Sequence, residues 1–173
     1  MLSEKMEEAL NEQIKWELYS AYLYLSMAAY FEDLGLEGFA HWMKAQSAEE
    51  TMHALKFYKF INERNGRVRL QEIPQPPTEW ESPLACLEYA LNHEREVTRR
   101  INNLMRFAKE EGDHATEIFL QWFVSEQVEE EDSFGRLVNK MKLVKEAPQG
   151  LFHLDRELAA RPLDLTLLTQ ELA

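Results

Sequence analysis

Cysteine, glycine and proline are scarce in this sequence, and basic residues are fewer than acidic ones. Each of these features limits what the chain can be. Its 173 residues include one cysteine, Cys86, which excludes an internal disulfide framework and a cysteine-based zinc site. Glycine and proline occur six times each, so long uninterrupted helices can form. Only 19 basic residues stand against 31 acidic ones, a formal charge of −12. That charge argues against nucleic acid or an anionic membrane as the main partner, and it suits cations.

The sequence also lacks a long apolar run and a visible targeting signal. No run approaches the roughly 18–20 apolar residues that span a bilayer, so we expect no membrane as partner. The N-terminal stretch Met1–Glu8 has no basic region followed by an apolar one, as a secretory signal would. We therefore expect a soluble, cytoplasmic protein.

Apolar residues recur with a helical period along nearly the whole chain. An apolar content of 45% in 173 residues suits one domain with a sizeable core. Ser3, and Ser82 followed by Pro83, are typical helix starts, while Gly66 and Gly112 are typical ends. The predicted helices are segment A, about 4–33; segment B, about 37–65; segment C, about 83–111; segment D, about 114–145; and a shorter segment E, about 149–160.

The stretch between segments B and C decides the predicted topology. Arg67–Ser82 contains Pro74, Pro76 and Pro77, so it cannot be a helix. Fully extended it reaches about 53 Å, more than the roughly 43 Å length of segment B. It can therefore run the length of a bundle and make B and C parallel. The sequence predicts an all-α four-helix bundle with a long B–C crossover and a short fifth C-terminal helix. Residues 1–161 form the predicted domain, and 162–173 a C-terminal tail of unknown order.

Polar residues interrupt the apolar stripe of each long segment near its middle. A carboxylate in an apolar core is costly unless it is paired or bound to a metal. Because the segments have similar lengths, these residues are expected to fall in one central layer. They are Glu17 on segment A, Glu50 and His53 on B, Glu94 on C, and Gln127 and Glu130 on D.

The spacing of this layer indicates a buried dinuclear metal site. Bundle di-iron proteins use two bare Glu residues and two Glu-x-x-His pairs. Glu50 and His53 form one such pair, whereas segment D departs from the pattern with Gln127-x-x-Glu130. Losing one imidazole should make the second metal weaker and more exchangeable, which hints at metal in transit. The alternative is a metal-free polar network that fixes bundle register, but one histidine cannot neutralise four carboxylates.

Four stretches carry a resemblance to a known family. They are Ser20–Ala28, Gly38–Met43, Glu49–Ala54 and Phe119–Glu131. In these stretches, and over essentially its whole length, the chain resembles prokaryotic non-haem ferritins. The resemblance implies a ferritin-like fold, iron storage in a homo-oligomeric cage of 24 subunits, and a ferroxidase centre in each. It implies Fe(II) and O2 or peroxide as substrates, a di-iron site and no haem.

The resemblance also assigns roles to the central layer. It implies that Glu17, Glu50 and His53 bind the first iron. Glu50 bridges to the second iron, which Glu94 and Glu130 also bind, and Gln127 is the nearby polar partner.

Further residues receive roles from the resemblance alone. Glu49, Glu126 and Glu129 match a third iron site of some prokaryotic members, although an acidic run here is also typical of a solvated helix face. Tyr24 matches a tyrosine near the centre that donates an electron, and a core tyrosine bonded to a carboxylate is an equally good interpretation.

Three other interpretations remain open. A haem-containing bacterioferritin would place a methionine where this chain has Thr51. A di-iron oxidase or peroxidase of the rubrerythrin kind, without a storage role, usually adds a cysteine-rich iron domain, which one cysteine cannot supply. A purely structural bundle would bind no metal.

Overall fold

The structure is a computed structural model that describes residues 2–163, 165, 166 and 170. Its described part contains α1 (Glu4–Asp33), α2 (Glu37–Glu63), α3 (Pro83–Glu111), α4 (His114–Val144) and α5 (Pro148–Ala159). Two compact units are present: one combines the chain up to Glu81 with that from Val144 onward, and the other is Ser82–Leu143. In the described residues, no helix combines the length and apolar character needed to cross a bilayer. Most of the predicted tail, 162–173, lies outside the described residues.

Helices α1 and α2 form an antiparallel hairpin. Near the turn, the Phe31 and Phe39 rings stack with centroids 5.0 Å apart. Further along, the Ser47 hydroxyl donates to the Ala21 carbonyl at 2.7 Å. The contacts thus pair later residues of α2 with earlier residues of α1, as an antiparallel hairpin requires. The stripe that periodicity predicts for α1 is buried throughout: Leu10, Ile14, Glu17, Ala21, Tyr24, Ala28 and Phe31. The stripe predicted for α2 is buried at Phe39, Met43, Gln46, Glu50, His53 and Phe57, but not at Phe60.

Helix starts agree with the capping residues of the sequence. The Ser3 hydroxyl accepts from the Met6 N–H at 3.1 Å, and the Ser82 hydroxyl accepts from the Ala85 N–H at 3.1 Å. Before α4, the Asp113 carboxylate accepts from the Thr116 N–H at 3.2 Å. Each bond satisfies an N–H that the first helical turn leaves without an intrahelical partner. The predicted helix starts are therefore confirmed.

The predicted end of α2 is wrong in one respect. The helix ends at Glu63, and the left-handed residue is Asn65, with φ of 56°, not Gly66. The Gly66 N–H donates to the Ile61 carbonyl and the Asn65 N–H to the Asn62 carbonyl, the Schellman pattern. Asparagine tolerates the left-handed region, so it can take the role predicted for glycine. Gly66 is needed for space instead, because a Cβ there would lie 2.9 Å from the Ile61 side chain.

The segment after α2 has no helix and runs along α1. At its start, the Asn11 side chain donates to the Arg67 carbonyl at 3.0 Å and accepts from the Arg69 N–H at 2.6 Å. Near its end, the Ser26 hydroxyl donates to the Pro77 carbonyl at 2.6 Å. The Arg67 N–H also donates to Glu7 Oε2 at 3.1 Å, and the Trp80 ring lies 5.3 Å from the Tyr30 ring. Since Glu7 and Tyr30 are near opposite ends of α1, the segment spans most of that helix. The predicted extended linker is confirmed in this respect.

Helix α5 is docked on the first turn of α2. The α2 N-terminus has no cap from its own preceding residue, and Asp155 of α5 supplies one. The Asp155 Oδ1 atom accepts from the Gly38 N–H at 2.8 Å and the Phe39 N–H at 3.0 Å. A carboxylate at a helix N-terminus also interacts favourably with the helix dipole. Gly38 allows this approach, because a Cβ there would lie 1.7 Å from the Asp155 carbonyl oxygen.

In the second unit, α3 and α4 are also antiparallel. Lys142, late in α4, pairs with Glu88, early in α3, at 2.9 Å. Further along α3, the Thr98 hydroxyl contacts Glu131 of α4. The stripe that periodicity predicts for α4 is buried throughout: Thr116, Leu120, Phe123, Gln127, Glu130, Phe134, Leu137 and Met141. The stripe predicted for α3 is buried at Leu87, Glu94, Ile101 and Ala108, but Leu84, Leu91, Thr98 and Met105 are only half-buried.

We predict that Gly38→Ala detaches α5 from α2, since the added methyl group collides with backbone of α5. Hydrogen–deuterium exchange of residues 148–159 should accelerate while exchange in the middle of α2 is preserved. Gly135→Ala is the matched control, because nothing lies within 4 Å of a Cβ at that position. Gly135 lies inside α4, where alanine is favoured over glycine by about 1 kcal/mol. The control variant should therefore leave exchange in α5 unchanged and stabilise the protein by at most about that amount. Unchanged exchange in Gly38→Ala would show that the docking is incorrectly described.

Candidate metal centre

Glu17, Glu50 and His53 form a buried cluster across the α1–α2 hairpin. Each side chain is at most 1% exposed, and one ligand atom from each lies within 4.8 Å of the others. His53 Nδ1 is 3.3 Å from Glu50 Oε2 and 3.8 Å from Glu17 Oε2. The i, i+3 spacing places Glu50 and His53 on one face of α2, as the sequence predicts. The antiparallel hairpin then brings Glu17 to the same level.

A further residue, Gln13, supports Glu17 from one turn earlier on α1. Its Nε2 atom donates to Glu17 Oε1 at 2.7 Å, and both side chains are buried. The other carboxylate oxygen, Oε2, takes part in no hydrogen bond within the described chain, and neither do Glu50 Oε1 or His53 Nε2. Gln13 was not predicted from the sequence, although its i, i+4 spacing to Glu17 is the signal that could have found it.

The electrostatics of this cluster centre on His53. Burial by itself lowers the pKa of an imidazole, because it disfavours the charged form. Here the negative charge of Glu50 and its contact with the ring, together with the nearby Glu17 carboxylate, outweigh burial and raise the pKa of His53 well above its usual value. In the metal-free protein the imidazolium therefore offsets part of the carboxylate charge.

Helices α3 and α4 bring Glu94 and Gln127 together. Glu94 is 0% exposed, and Gln127 Nε2 donates to its Oε2 atom at 3.1 Å and to its backbone carbonyl at 3.2 Å. Glu130 lies one turn after Gln127 and is 5% exposed. All three residues are thus buried, as predicted from the stripe, without an imidazole from α4.

The residues predicted from resemblance alone have different environments. Tyr24 is fully buried on α1. Glu49 and Glu126 are partly exposed, and Glu129 is exposed. Glu49 already has a partner: Arg161, beyond the end of α5, donates from Nη2 to its Oε2 atom at 2.7 Å. Arg161 also lies over the Trp42 ring, with its guanidinium carbon 4.5 Å from the centroid.

The donor set of the first cluster fits iron. Carboxylates and one imidazole within a few ångströms are ligands that borderline Fe(II) accepts, and carboxylate charge favours Fe(III). Several buried carboxylates with a single histidine also have a reason to bind a cation, since burying unpaired charge is costly.

Comparison with known proteins agrees with this chemistry. Residues 7–144 match the ferritin-like domain family. The chain belongs to that family. It is 45% identical over 161 residues to a bacterial non-heme ferritin of Bacteroides fragilis, covering 93% of this chain and 100% of the relative. It is 40% identical over 164 residues to a bacterial non-heme ferritin of Staphylococcus haemolyticus, covering 95% and 99%.

Solved structures give the same result for the ferritin-like fold. An engineered closed form of Archaeoglobus fulgidus ferritin has a TM-score of 0.94 at 52% identity, covering 95% of this chain and 100% of that one. The open pore ferritin from the same hyperthermophilic archaeon has a TM-score of 0.93 at 53% identity, covering 94% and 100%. The predicted family and the predicted all-α, ferritin-like fold class are therefore confirmed.

We predict that anaerobic Fe(II) binding to the metal-free protein strengthens with rising pH. Because the pKa of His53 is raised, its imidazole is protonated at neutral pH and must lose a proton to bind metal. Titrations from about pH 6 to about pH 8 should show affinity rising by up to roughly tenfold per pH unit. A His53→Gln variant should bind more weakly and with a smaller pH dependence. Wild-type affinity that is flat with pH would contradict the assignment of His53.

Proposed function

We propose that this protein stores and detoxifies iron. Fe(II) is oxidised at a di-iron ferroxidase centre, and the Fe(III) is kept as a hydrated ferric mineral inside a cage of 24 subunits. The observation that carries the proposal is the buried cluster of Glu17, Glu50 and His53, whose ligand atoms lie within 4.8 Å of one another. Relatives named non-heme ferritin support iron without haem, and the −12 charge suits a protein that accumulates cations.

Iron is the substrate of the proposed reaction. The first Fe(II) is assigned to Glu17, Glu50 and His53, and the second to Glu50, Glu94 and Glu130, as the family resemblance implies. Each Fe(II) loses one electron, and O2 takes up both electrons and two protons to become hydrogen peroxide. The protein supplies the spacing of the metals and the negative charge that stabilises Fe(III). The two Fe(II) ions supply both electrons of this step, so Tyr24, buried on α1, is proposed as the donor of an additional electron when O2 is reduced beyond peroxide.

The weaker ligand set on α4 agrees with a site that metal passes through. In the full di-iron pattern, a glutamate would stand at position 127 and a histidine at position 130. Here Glu130 is the proposed carboxylate ligand of α4, and Gln127 donates a hydrogen bond to Glu94. A neutral amide adds no ligand charge to the second metal. We therefore expect the second iron to exchange faster than the first, so that oxidised iron leaves for the mineral.

Replacing Glu50 by alanine should abolish fast Fe(II) oxidation. The proposed bridge between the two irons is lost, and we expect the initial rate to fall by at least about 100-fold. Stopped-flow absorbance of ferric product measures the rate, and size-exclusion chromatography checks that assembly is intact. Glu63→Ala, on an exposed position at the end of the same helix, is the control and should oxidise iron normally. Oxidation at the wild-type rate in Glu50→Ala would refute the assignment.

A third iron site at Glu49, Glu126 and Glu129 is also proposed. A metal that binds both carboxylate oxygens of Glu49 must displace Arg161 from the Oε2 atom. Arg161→Ala should therefore tighten binding of the third Fe(II) equivalent, but by no more than about fivefold, since a partly exposed ion pair is worth up to about 1 kcal/mol.

Anaerobic titration of the Arg161→Ala variant measures this effect, with Arg161→Lys as the charge-retaining control. Hydrogen–deuterium exchange of 148–159 establishes whether α5 stays docked in the variant. Equal binding of the third equivalent in wild type and in a variant with α5 docked would contradict a metal bound through both oxygens of Glu49.

A further inference from the structure

A chain of hydrogen bonds connects the buried carboxylate of Glu94 to the side chain of Glu131. Gln127 Nε2 donates to Glu94 Oε2 at 3.1 Å and to Thr98 Oγ1 at 3.3 Å. The Thr98 hydroxyl in turn donates to Glu131 Oε1 at 2.6 Å. The four residues come alternately from α3 and α4, so the chain bridges the two helices. The structure thus gives Thr98 and Glu131 contacts that neither helix periodicity nor the family resemblance predicts.

These bonds fix which way the Gln127 carboxamide faces. A threonine hydroxyl has one hydrogen, and here Glu131 receives it, so Thr98 Oγ1 can only accept from Gln127. The Glu94 carboxylate and carbonyl oxygens are acceptors as well. An amide turned over would place its own oxygen against all three acceptors. Only the orientation with the NH2 group on Glu94 and Thr98 satisfies the network.

The positions of the residues set what each can do. Glu94 and Gln127 are buried, whereas the Glu131 side chain is 35% exposed and has Arg95 Nε 4.0 Å from its Oε2 atom. Thr98, Gln127 and Glu131 also line an open pocket of about 280 Å³ with Ile101 and Val124. Changes to Thr98 therefore act at the edge of this pocket, and not in the close-packed core.

We propose that Thr98 and Glu131 are positioning residues for the second iron. Glu131 orients the Thr98 hydroxyl, Thr98 anchors the Gln127 amide, and the amide holds the Glu94 carboxylate that binds the metal. This inference rests on the proposed function, since it takes Glu94 as an iron ligand. Hydrogen-bond partners of ligating carboxylates typically contribute 10–100-fold, roughly, to metal affinity.

The test is anaerobic titration of the assembled, metal-free protein with Co(II) and with Fe(II), reading the number of sites, their affinities and the visible absorption of bound Co(II). Thr98→Val keeps the shape of the side chain and removes the hydroxyl. Because Thr98 acts on Glu94 only through Gln127, the change should weaken the second metal by about tenfold, the lower end of the range for direct partners of a ligand. It should also shift the Co(II) bands of that site and leave the first metal unchanged. Thr98→Ser restores the hydroxyl and should recover affinity to within about threefold of wild type.

Two controls separate the possible causes. Asn102→Ala changes another residue of the same pocket and should bind both metals normally. Glu94→Gln removes the proposed ligand itself, and the second metal should be lost. If Glu94→Gln still binds two metals normally, the proposed function of Glu94 fails. If Glu94→Gln loses the second metal but Thr98→Val binds it as tightly as wild type, Glu94 remains the proposed ligand and the positioning role of Thr98 is wrong.

The inference is also overturned if Thr98→Ser binds as weakly as Thr98→Val, because the hydroxyl is then not the cause. It is overturned as well if Thr98→Val weakens both metals equally, since that indicates a general loosening of the protein.

Discussion

The burial of carboxylates in the middle of long helices is the constraint on which the rest of this molecule depends. Glu17, Glu50, Glu94 and Glu130 are each at most 5% exposed. Buried carboxylates need a counter-charge, hydrogen bonds or a metal, and leucine at these positions would fold more easily. Within the chain, the His53 imidazolium offsets part of the charge of Glu17 and Glu50. The side-chain amides of Gln13 and Gln127 donate hydrogen bonds to Glu17 and Glu94. Under the proposed function, a bound cation neutralises the remaining charge, so metal should also stabilise the folded state.

The two units meet this constraint differently. In the α1–α2 hairpin, His53 lies within 4 Å of both carboxylates, so the support is an imidazole whose pKa these carboxylates raise. In the α3–α4 hairpin, the support is a neutral amide held by Thr98 and, through it, by Glu131. Under the proposed function, this difference makes one iron site strong and the other exchangeable. Such a pair suits a protein that oxidises iron and then passes it on.

Features that depend on neighbours in sequence were predictable. The starts of α1 and α3 follow from Ser3 and Ser82, because a capping hydroxyl acts within three residues. The buried stripes and the Glu50–His53 pair follow from helix periodicity, as does the burial of Glu94, Gln127 and Glu130. The left-handed residue at the end of α2 was predicted one position too late, at Gly66 instead of Asn65. Both residue types can adopt that conformation, and the sequence does not show that Gly66 packs closely against Ile61.

Contacts between residues far apart in sequence were not predictable. Asp155 caps a helix that begins more than a hundred residues earlier, and nothing near Gly38 indicates that a carboxylate will fill this role. The ion pair between Arg161 and Glu49 is likewise a contact that the sequence near either residue does not indicate. Thr98 was assigned to the core stripe of α3, but its hydrogen bond to Glu131 depends on the register of two helices. Periodicity predicts which face of a helix is buried and does not predict that register.

The central claim is that iron binds to these buried carboxylates. X-ray anomalous scattering at the iron edge, on crystals of the assembled protein soaked anaerobically in a ferrous salt, tests it most directly. The account predicts one strong peak within bonding distance of Glu17, Glu50 and His53, and a second, weaker peak beside Glu94 and Glu130. The claim is contradicted if crystals soaked in a saturating concentration of ferrous salt show no anomalous peak beside any of these side chains.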